Sequence, residues 1–324
     1  MRVTNKMLSH NFLRDMGTNL SNMKTLQGQL TSGKQIRRPS DDPFRVSRAM
    51  QLHTDISSNK QYNNNIKDTI NYLDATDTAL GQGGQVLHRI RELLISAGDA
   101  GYGSSERKAI KDEINEKIGE FSQILNTNFD GKYIFGGTRG TSKPTDVAAD
   151  GENNKLTYRD RDGNELTDKT SDEYKMIESK IQVEVSQGVY MEYNVTASEI
   201  IEFKSSKGDA VDVRELFKNI TDHLDGTTEA DRNALTGEDL QGISDAMDNL
   251  LKLRSQVGAK QNRMDSAKDR NIEENFNMTE ILSETEDIDF TEKMMEAATM
   301  QTVYMASLQV SARVIQPTLM DYIR

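Results

Sequence analysis

The side chains best equipped for proton transfer or metal ligation are four histidines, His10, His53, His88 and His223, and they lie far apart in the chain. None stands in an HExxH or comparable spacing, so the two imidazoles on one helix face that zinc hydrolysis uses are missing. Surface or seam positions are the simpler reading. The Gly81-Gln82-Gly83-Gly84 run lacks the GxGxxG spacing and falls inside a helical pattern, which argues against a phosphate cradle. Asp160-Arg161-Asp162-Gly163 imitates part of a calcium loop, but Tyr158 would hold the first ligand position and Lys169 the twelfth, which leaves a hairpin turn. GxSxG is absent. No cysteine occurs among 324 residues, excluding disulfides, thiolate zinc sites and cysteine nucleophiles. The expectation is therefore no catalytic residue, no metal and no cofactor.

The chemistry that the sequence does carry is apolar helix surface at both ends. Val3, Met7, Met16, Leu20, Met23 and Leu30 fall at steps of three and four or whole turns between, which predicts an amphipathic helix over the first forty residues. A last stripe runs Phe290, Met294, Ala297, Gln301, Tyr304, Leu308, Ile315, Leu319, Tyr322, with Pro317 expected to kink or fray its end. Helices draw most of their stability from burying an apolar face, so these two ends are expected to order on assembly. The seam residues Met7, Leu8, Met16, Leu20, Met23, Leu30, Phe290, Met294, Tyr304, Leu308, Ile315 and Leu319 form the candidate assembly interface. Methionines along it suit mismatched gaps, being flexible and polarisable.

Between the ends, Ile66, Leu73, Leu80, Leu87 and Leu94 recur every seven residues with Ile70 between, predicting one long helix. Gly83-Gly84 weakens that helix locally, since an interior glycine costs about 1 kcal/mol against alanine. Ser40 or Asp41 is the expected N-cap, with Pro43 in the first turn. Ile110, Ile114, Ile118, Phe121 and Leu125 make a further helix closed by a turn at 126–131, and Ile243, Met247, Leu250, Val257 and Met264 another. Alternation at Ile181, Val183, Val185 and Val189, Met191, Tyr193, Val195 around Ser186-Gln187-Gly188 predicts a hairpin. Leu156 and Tyr158 before Asp162-Gly163 suggest a second, and Val213 to Leu224 a short amphipathic helix. The fold class is thus mainly α with a β-rich insert. Long antiparallel helices from both termini form a coiled-coil or bundle rod, with an outer α+β domain. The expected division is 1–40 plus 285–324 for assembly, 41–137 plus 233–284 for a helical rod, and 138–232 for the insert.

Composition agrees. With 28% charged residues, no Trp, 4 Pro and 15 Met, the chain favours long solvated helices over a large compact core. Forty Lys and Arg against 52 Asp and Glu leave −12, which repels phosphate backbones and anionic lipid surfaces, so neither nucleic acid nor membrane is an expected partner. The N-terminus shows no apolar signal core and no stretch approaches the ~18 apolar residues of a membrane span; export, if it occurs, needs another route.

Charge is also unevenly placed. Residues 1–40 hold seven Lys or Arg against Asp15 alone, net +6, and residues 280–324 hold eight acids against three cations, net −5. Antiparallel pairing of the ends would set the basic turn Lys34, Arg37, Arg38 beside the acidic turn Glu284, Glu286, Asp287, a charge pairing that would fix register.

Leu26 to Pro43, LQGQLTSGKQIRRPSDDP, resembles the N-terminal signature of the bacterial flagellin family. Phe129-Asp-Gly-Lys-Tyr-Ile-Phe-Gly-Gly137 resembles that family's approach to its variable insert, Arg254-Ser-Gln-Val-Gly-Ala259 its returning helix, and Asp287-Ile-Asp-Phe290 the lead into its C-terminal helix. Both arms match, and the insert largely does not. Asp41-Asp42-Pro43, where filament flagellins usually carry Asp-Asp-Ala, and the ending Val314 to Tyr322 resemble the branch of the family at the hook–filament junction. The resemblance implies a structural adaptor without catalysis, located outside the cell in the bacterial flagellum and exported by the flagellar type III apparatus. Its implied partners are further copies of itself in a ring, hook-associated protein 1 on one side, flagellin on the other and an export chaperone. A filament-forming flagellin is the alternative within the family. An enzyme grafted into the insert is the alternative outside it, and the insert has one histidine, His223, with no clustered ligands.

Overall fold

The computed structural model describes residues 5–98, 103–205, 207–226 and 228–314. The expectations for Val3, Ile315, Pro317, Leu319 and Tyr322, and for the side chain of Leu8, lie outside the described residues. Helix α1 spans Asn5–Ser32, α2 Pro43–Ala97 and α3 Ser104–Leu125. The residue that caps α2 is Asp42, whose Oδ1 accepts from the Phe44 and Arg45 amides at 3.1 Å each. Ser40 and Asp41 do not take that place. Asp41 instead binds the Arg37 and Arg38 amides at 3.1 and 2.9 Å, bracing the loop before the helix.

Contacts divide the chain into two compact units, Met1–Lys60 with Glu273–Arg324, and Gln61–Ile272. In the second unit the heptad residues Ile66, Leu73, Leu80, Leu87 and Leu94 of α2 are each 2% exposed or less. They share one core with Ile114, Ile118 and Phe121 of α3 and with Ile243, Leu250, Val257 and Met264 of α8, Leu240–Glu286. Helix α2 runs unbroken through Gly83-Gly84. A methyl at Gly83 would meet Leu250 and Phe121 at 3.6 Å, ordinary contact, and at Gly84 it would meet nothing. Gly84→Ala is therefore expected to stabilise this unit by about 1 kcal/mol through helix propensity, seen as a higher urea midpoint at unchanged slope.

Among the described residues, four two-stranded antiparallel sheets accompany these helices. β1 (Asn128–Phe129) and β2 (Lys132–Tyr133) turn on Asp130 and Gly131 at φ 50° and 77°, the left-handed pair that a two-residue hairpin demands and Asp-Gly supplies. β3 (Thr145–Asp150) pairs with β4 (Asn153–Tyr158) about Gly151, so the hairpin holding Leu156 and Tyr158 closes before them. The Asp162-Gly163 turn expected to close it belongs to a smaller bend bridged by Arg159 and Glu165. The alternation over 181–195 becomes β5 (Gln182–Ser186) and β6 (Val189–Glu192). After α4 (Asp172–Glu178) and α5 (Ala197–Ile201), β7 (Glu202–Lys204) pairs with β8 (Ala210–Asp212). Helix α6, Val213–Asp225, buries Leu216, Phe217, Ile220 and Leu224, and Phe217 meets Phe121 edge to face at 5.7 Å. Short α7, Glu229–Ala234, and a π-helical turn at Leu235–Asp239 lead into α8.

A buried cation ties the insert together. Arg139 Nη1 donates to Glu173 at 2.8 Å and Nη2 to the carbonyls of Lys143 and Arg159 at 3.0 and 2.5 Å. Paired and hydrogen-bonded in this way, a buried charge is tolerated. Two residues earlier, Gly137 sits at φ 61° where a methyl would come within 2.3 Å of the Met176 carbonyl, so the Gly-Gly of the resemblance is a packing requirement.

Candidate assembly interface

The first unit is built around the two terminal helices and the corner that joins them to the rest of the chain. α1 ends at Ser32, and Gly33 takes φ 70° to let the chain turn. There Lys34 and Asp287 form an isolated antiparallel bridge: the Gln35 amide donates to the Glu286 carbonyl at 2.6 Å and the Ile288 amide to that of Gly33 at 3.2 Å. Asp289 Oδ1 then caps α9 (Phe290–Val314) through the Thr291 and Glu292 amides at 2.8 and 3.2 Å. Because α9 starts where α1 finishes, the two run antiparallel along one another.

Side chains sort cleanly on this pair. Ser9, Phe12, Met16, Asn19, Met23, Leu26 and Leu30 of α1 are half-buried or buried, spaced three and four alternately. On α9 the half-buried set is Lys293, Ala297, Met300, Tyr304, Ser307 and Ser311, again in alternating steps. This is a two-helix seam of heptad type. It is thin: Leu26 is the one buried apolar side chain of α1 among the described residues, and α9 has none. A second face is open, with Met7 56%, Leu13 50% and Leu20 49% exposed on α1, and Met294 62%, Met305 56% and Leu308 42% on α9. Phe290 lies against Gly33 and is still half exposed.

The candidate seam residues therefore fall on two surfaces. Met16, Met23, Leu30 and Tyr304 sit in the pair's own seam, whereas Met7, Leu20, Met294 and Leu308 face outward. Phe12, Leu26, Ala297 and Met300 complete the seam and Leu13 and Met305 the open face, while the exposed Val303 and Val310 each precede a seam residue and so lie on the other flank of α9. Of these, the last stripe of the sequence holds Ala297, and its gap-filling methionines include Met300 and Met305; Phe12, Leu13 and Leu26 are not singled out there, although the three-four alternation was available to find Phe12 and Leu26.

The charged corner is likewise divided. Lys34 Nζ bonds Glu286 and lies 3.7 Å from Asp287, and His53 Nε2 is 3.1 Å from Glu286. Arg37, Arg38 and Glu284 form no ion pair among the described residues. Burial pushes the Glu286 carboxyl up, but the hydrogen bonds from Lys34 and His53 outweigh it and hold it below the usual carboxylate range. Lys34 is raised, first by its hydrogen bond to Glu286, against the opposing effect of burial. The depressed Glu286 stabilises the corner fully above its unfolded value of about 4.3 and loses that contribution as pH falls through its lower folded value. The raised Lys34 acts oppositely, its share vanishing only in strong alkali. Since Lys34 is 41% exposed, the pair is worth about 1 kcal/mol at most. The stability gap between the unmodified chain and Glu286→Gln, followed by urea titration, should close as pH is lowered from 7 to about 3.

The histidines serve scattered roles. His10 is exposed on α1, His53 meets Glu286, His88 lies 3.4 Å from Glu92, and His223 Nδ1 lies 2.6 Å from Asp239. Among the described residues no group of three or more His, Asp or Glu is placed to hold a metal ion, and no helix is long and apolar enough to cross a membrane. What the terminal helix pair presents is exposed apolar surface.

Comparison with known proteins finds the bacterial flagellin N-terminal helical region over residues 3–139 and the bacterial flagellin C-terminal helical region over residues 240–323. A flagellin of Clostridium tyrobutyricum is 28% identical over 127 residues, 39% of this chain and 34% of that protein's length. A flagellin of Bacillus subtilis is 23% identical over 304 residues, covering 91% of this chain and 90% of its own. Flagellar hook-associated protein 3 of Salmonella typhimurium is 20% identical over 325 aligned residues, 94% of this chain and 95% of that one. Among solved structures, that of a flagellar hook-associated protein 3 from Legionella pneumophila superposes with a TM-score of 0.58 at 13% identity, covering 72% of this chain and 98% of the other. At that identity the likeness speaks for the fold.

Proposed function

The chain belongs to the bacterial flagellin family, whose two helical regions together match more than half of it, and we propose that within the family it is the structural adaptor at the junction of hook and filament. Its role in this reading is that of hook-associated protein 3, with which it aligns almost end to end. A ring of copies stands on hook-associated protein 1 and presents the surface on which flagellin begins to polymerise.

The observation that carries the proposal is the two-faced helix pair at the termini. A seam that has, among the described residues, one buried apolar side chain on α1 and none on α9 gives little stability alone, while an open row of Leu and Met runs beside it. Such a pair gains its packing from neighbouring copies or family members, as a/d seams do when several helices share them. The residues 1–40 and 285–324 act as the assembly domain, and the solvated insert at 138–232 takes no part in it. Methionine on the open face suits an adaptor, which must pack against unlike neighbours below and above.

Export by the flagellar type III apparatus follows from the same reading: a cysteine-free chain with weakly held ends can pass unfolded, and the open face of α9 is a surface for an export chaperone to cover until then. A filament flagellin is the second reading, favoured by the Bacillus relative that also spans most of the chain.

Electron microscopy of cells lacking the gene, with the medium assayed for shed flagellin, separates the two. Bare hooks with flagellin lost to the medium are expected. Short or absent filaments without shed flagellin, or normal filaments, would overturn the junction role.

A further inference from the structure

Among the described residues the +6 and −5 ends of the sequence pair only through Lys34, with Glu286 and Asp287. The side chains of Arg37 and Arg38 form no ion pair among the described residues. Arg37 and Arg38, with Lys24 from α1 and Arg45 from α2, line a groove of about 750 Å³ whose only acids are Asp41 and Asp42. Both of those carboxylates are already engaged, Asp41 by the Arg37 and Arg38 amides and Asp42 by the start of α2. The Arg37 guanidinium lies across Gly28, where any Cβ would collide with it at 2.5 Å. A net positive groove thus opens on a chain of charge −12, and just beyond it Phe44 is 78% exposed.

The complementary surface is on the same unit. The outer side of α8 exposes Glu273, Glu280 and Glu284 at steps of seven and four, one helical stripe, with Phe276 69% exposed among them. The inner side of this stretch is used, Met278 and Leu282 packing with Leu52 and Ile56 of α2. We propose that the Arg37–Arg38 groove of one copy receives the acidic stripe of α8 from the next copy. The contact is heterologous, joining two different surfaces of neighbouring copies, and a contact of this kind generates a ring where its rotation closes. Copies of an acidic chain repel one another at long range, so a local basic groove also sets which face is approached. The inference rests on the junction reading and specifies the contact between ring neighbours.

The absence of cysteine makes the test direct. Two full-length chains, one carrying Arg38→Cys and the other Glu280→Cys, are expressed together in cells lacking the native gene. Isolated hook–filament preparations are then treated with a short bis-maleimide. The expected product is a dimer containing one of each chain, and it should fall at least about tenfold when Arg37→Glu is added to the first chain. Adding Glu284→Lys to the second should then restore it to within about twofold, as expected of directly coupled residues. If the chain is missing from the preparations, the junction reading fails and takes this inference with it. If the chain is present yet stays monomeric, or is joined to a different flagellar protein, the junction reading stands and the docking contact is wrong. Circular dichroism of the charge variants confirms that they fold.

Discussion

Chains carrying Leu20→Asp or Leu308→Asp fold as the unmodified chain does and fail to enter the flagellum. Leu20 and Leu308 are 49% and 42% exposed and lie on the open faces of α1 and α9. In the isolated chain a carboxylate there meets water and costs little, within about 0.5 kcal/mol for a surface substitution. In an assembled seam the same carboxylate would be buried without a partner, at a cost of several kcal/mol at each contact. Each copy in a ring repeats the defect, so loss of incorporation should be near complete. Circular dichroism and a urea titration of the purified chains report the first half, and immunoblots of isolated hooks and filaments the second. Global unfolding of either variant would refute the separation of the open face from the folded units. Normal incorporation would refute the face as an interface.

The opposite outcome is expected at Phe121. Its ring is 1% exposed, meets Phe217 edge to face at 5.7 Å and lies beside Gly83 of α2. Phe121→Ala removes that packing and leaves a cavity among residues on three helices, a change that costs roughly 3–5 kcal/mol. For a unit of ordinary marginal stability this is a large fraction of the whole. A urea titration should show the Gln61–Ile272 unit unfolding at a much lower midpoint, while any copies that stay folded keep an unchanged terminal surface. A drop below about 1 kcal/mol would mean that the three helices do not share a single core. The two variants together separate surface from support: one leaves stability intact and removes assembly, the other acts through stability.

Much of the architecture could be read from spacing. The seven-residue repeat from Ile66 to Leu94 names its own buried side, because only one face of a helix carries leucine and isoleucine there. Alternation over 181–195 could hardly be anything but a hairpin, with Ser186-Gln187-Gly188 for its turn. Where several turns compete, spacing was weaker. Leu156 and Tyr158 lie between two glycine turns, and the strand pairs backward across Gly151 since Thr145 to Asp150 lies within reach and packs on α3. Likewise Ser40, Asp41 and Asp42 are all good caps, and the helix took the one immediately before Pro43, leaving Asp41 to hold the loop.

The assembly surface shows where local pattern stops. That both ends are amphipathic helices follows from residue order alone, since burial of an apolar stripe is what stabilises a helix in water. Which stripe faces the partner helix does not. Leu13 and Leu20 each follow a seam residue by one position, as do Met294, Met305 and Leu308, and one residue is about 100° round a helix. A single apolar band read from spacing therefore spans both the inner seam and the open face beside it. Only the meeting of α1 with α9 divides the band, by covering Met16, Met23 and Tyr304 and leaving Leu20, Met294 and Leu308 to water. The same holds for charge: opposite signs at the two ends are a matter of composition. That Lys34 is taken by Glu286 and Asp287, with Arg37 and Arg38 turned into a groove, depends on how the chain bends between Gly33 and Asp42, a matter of backbone hydrogen bonds that charge counts do not contain.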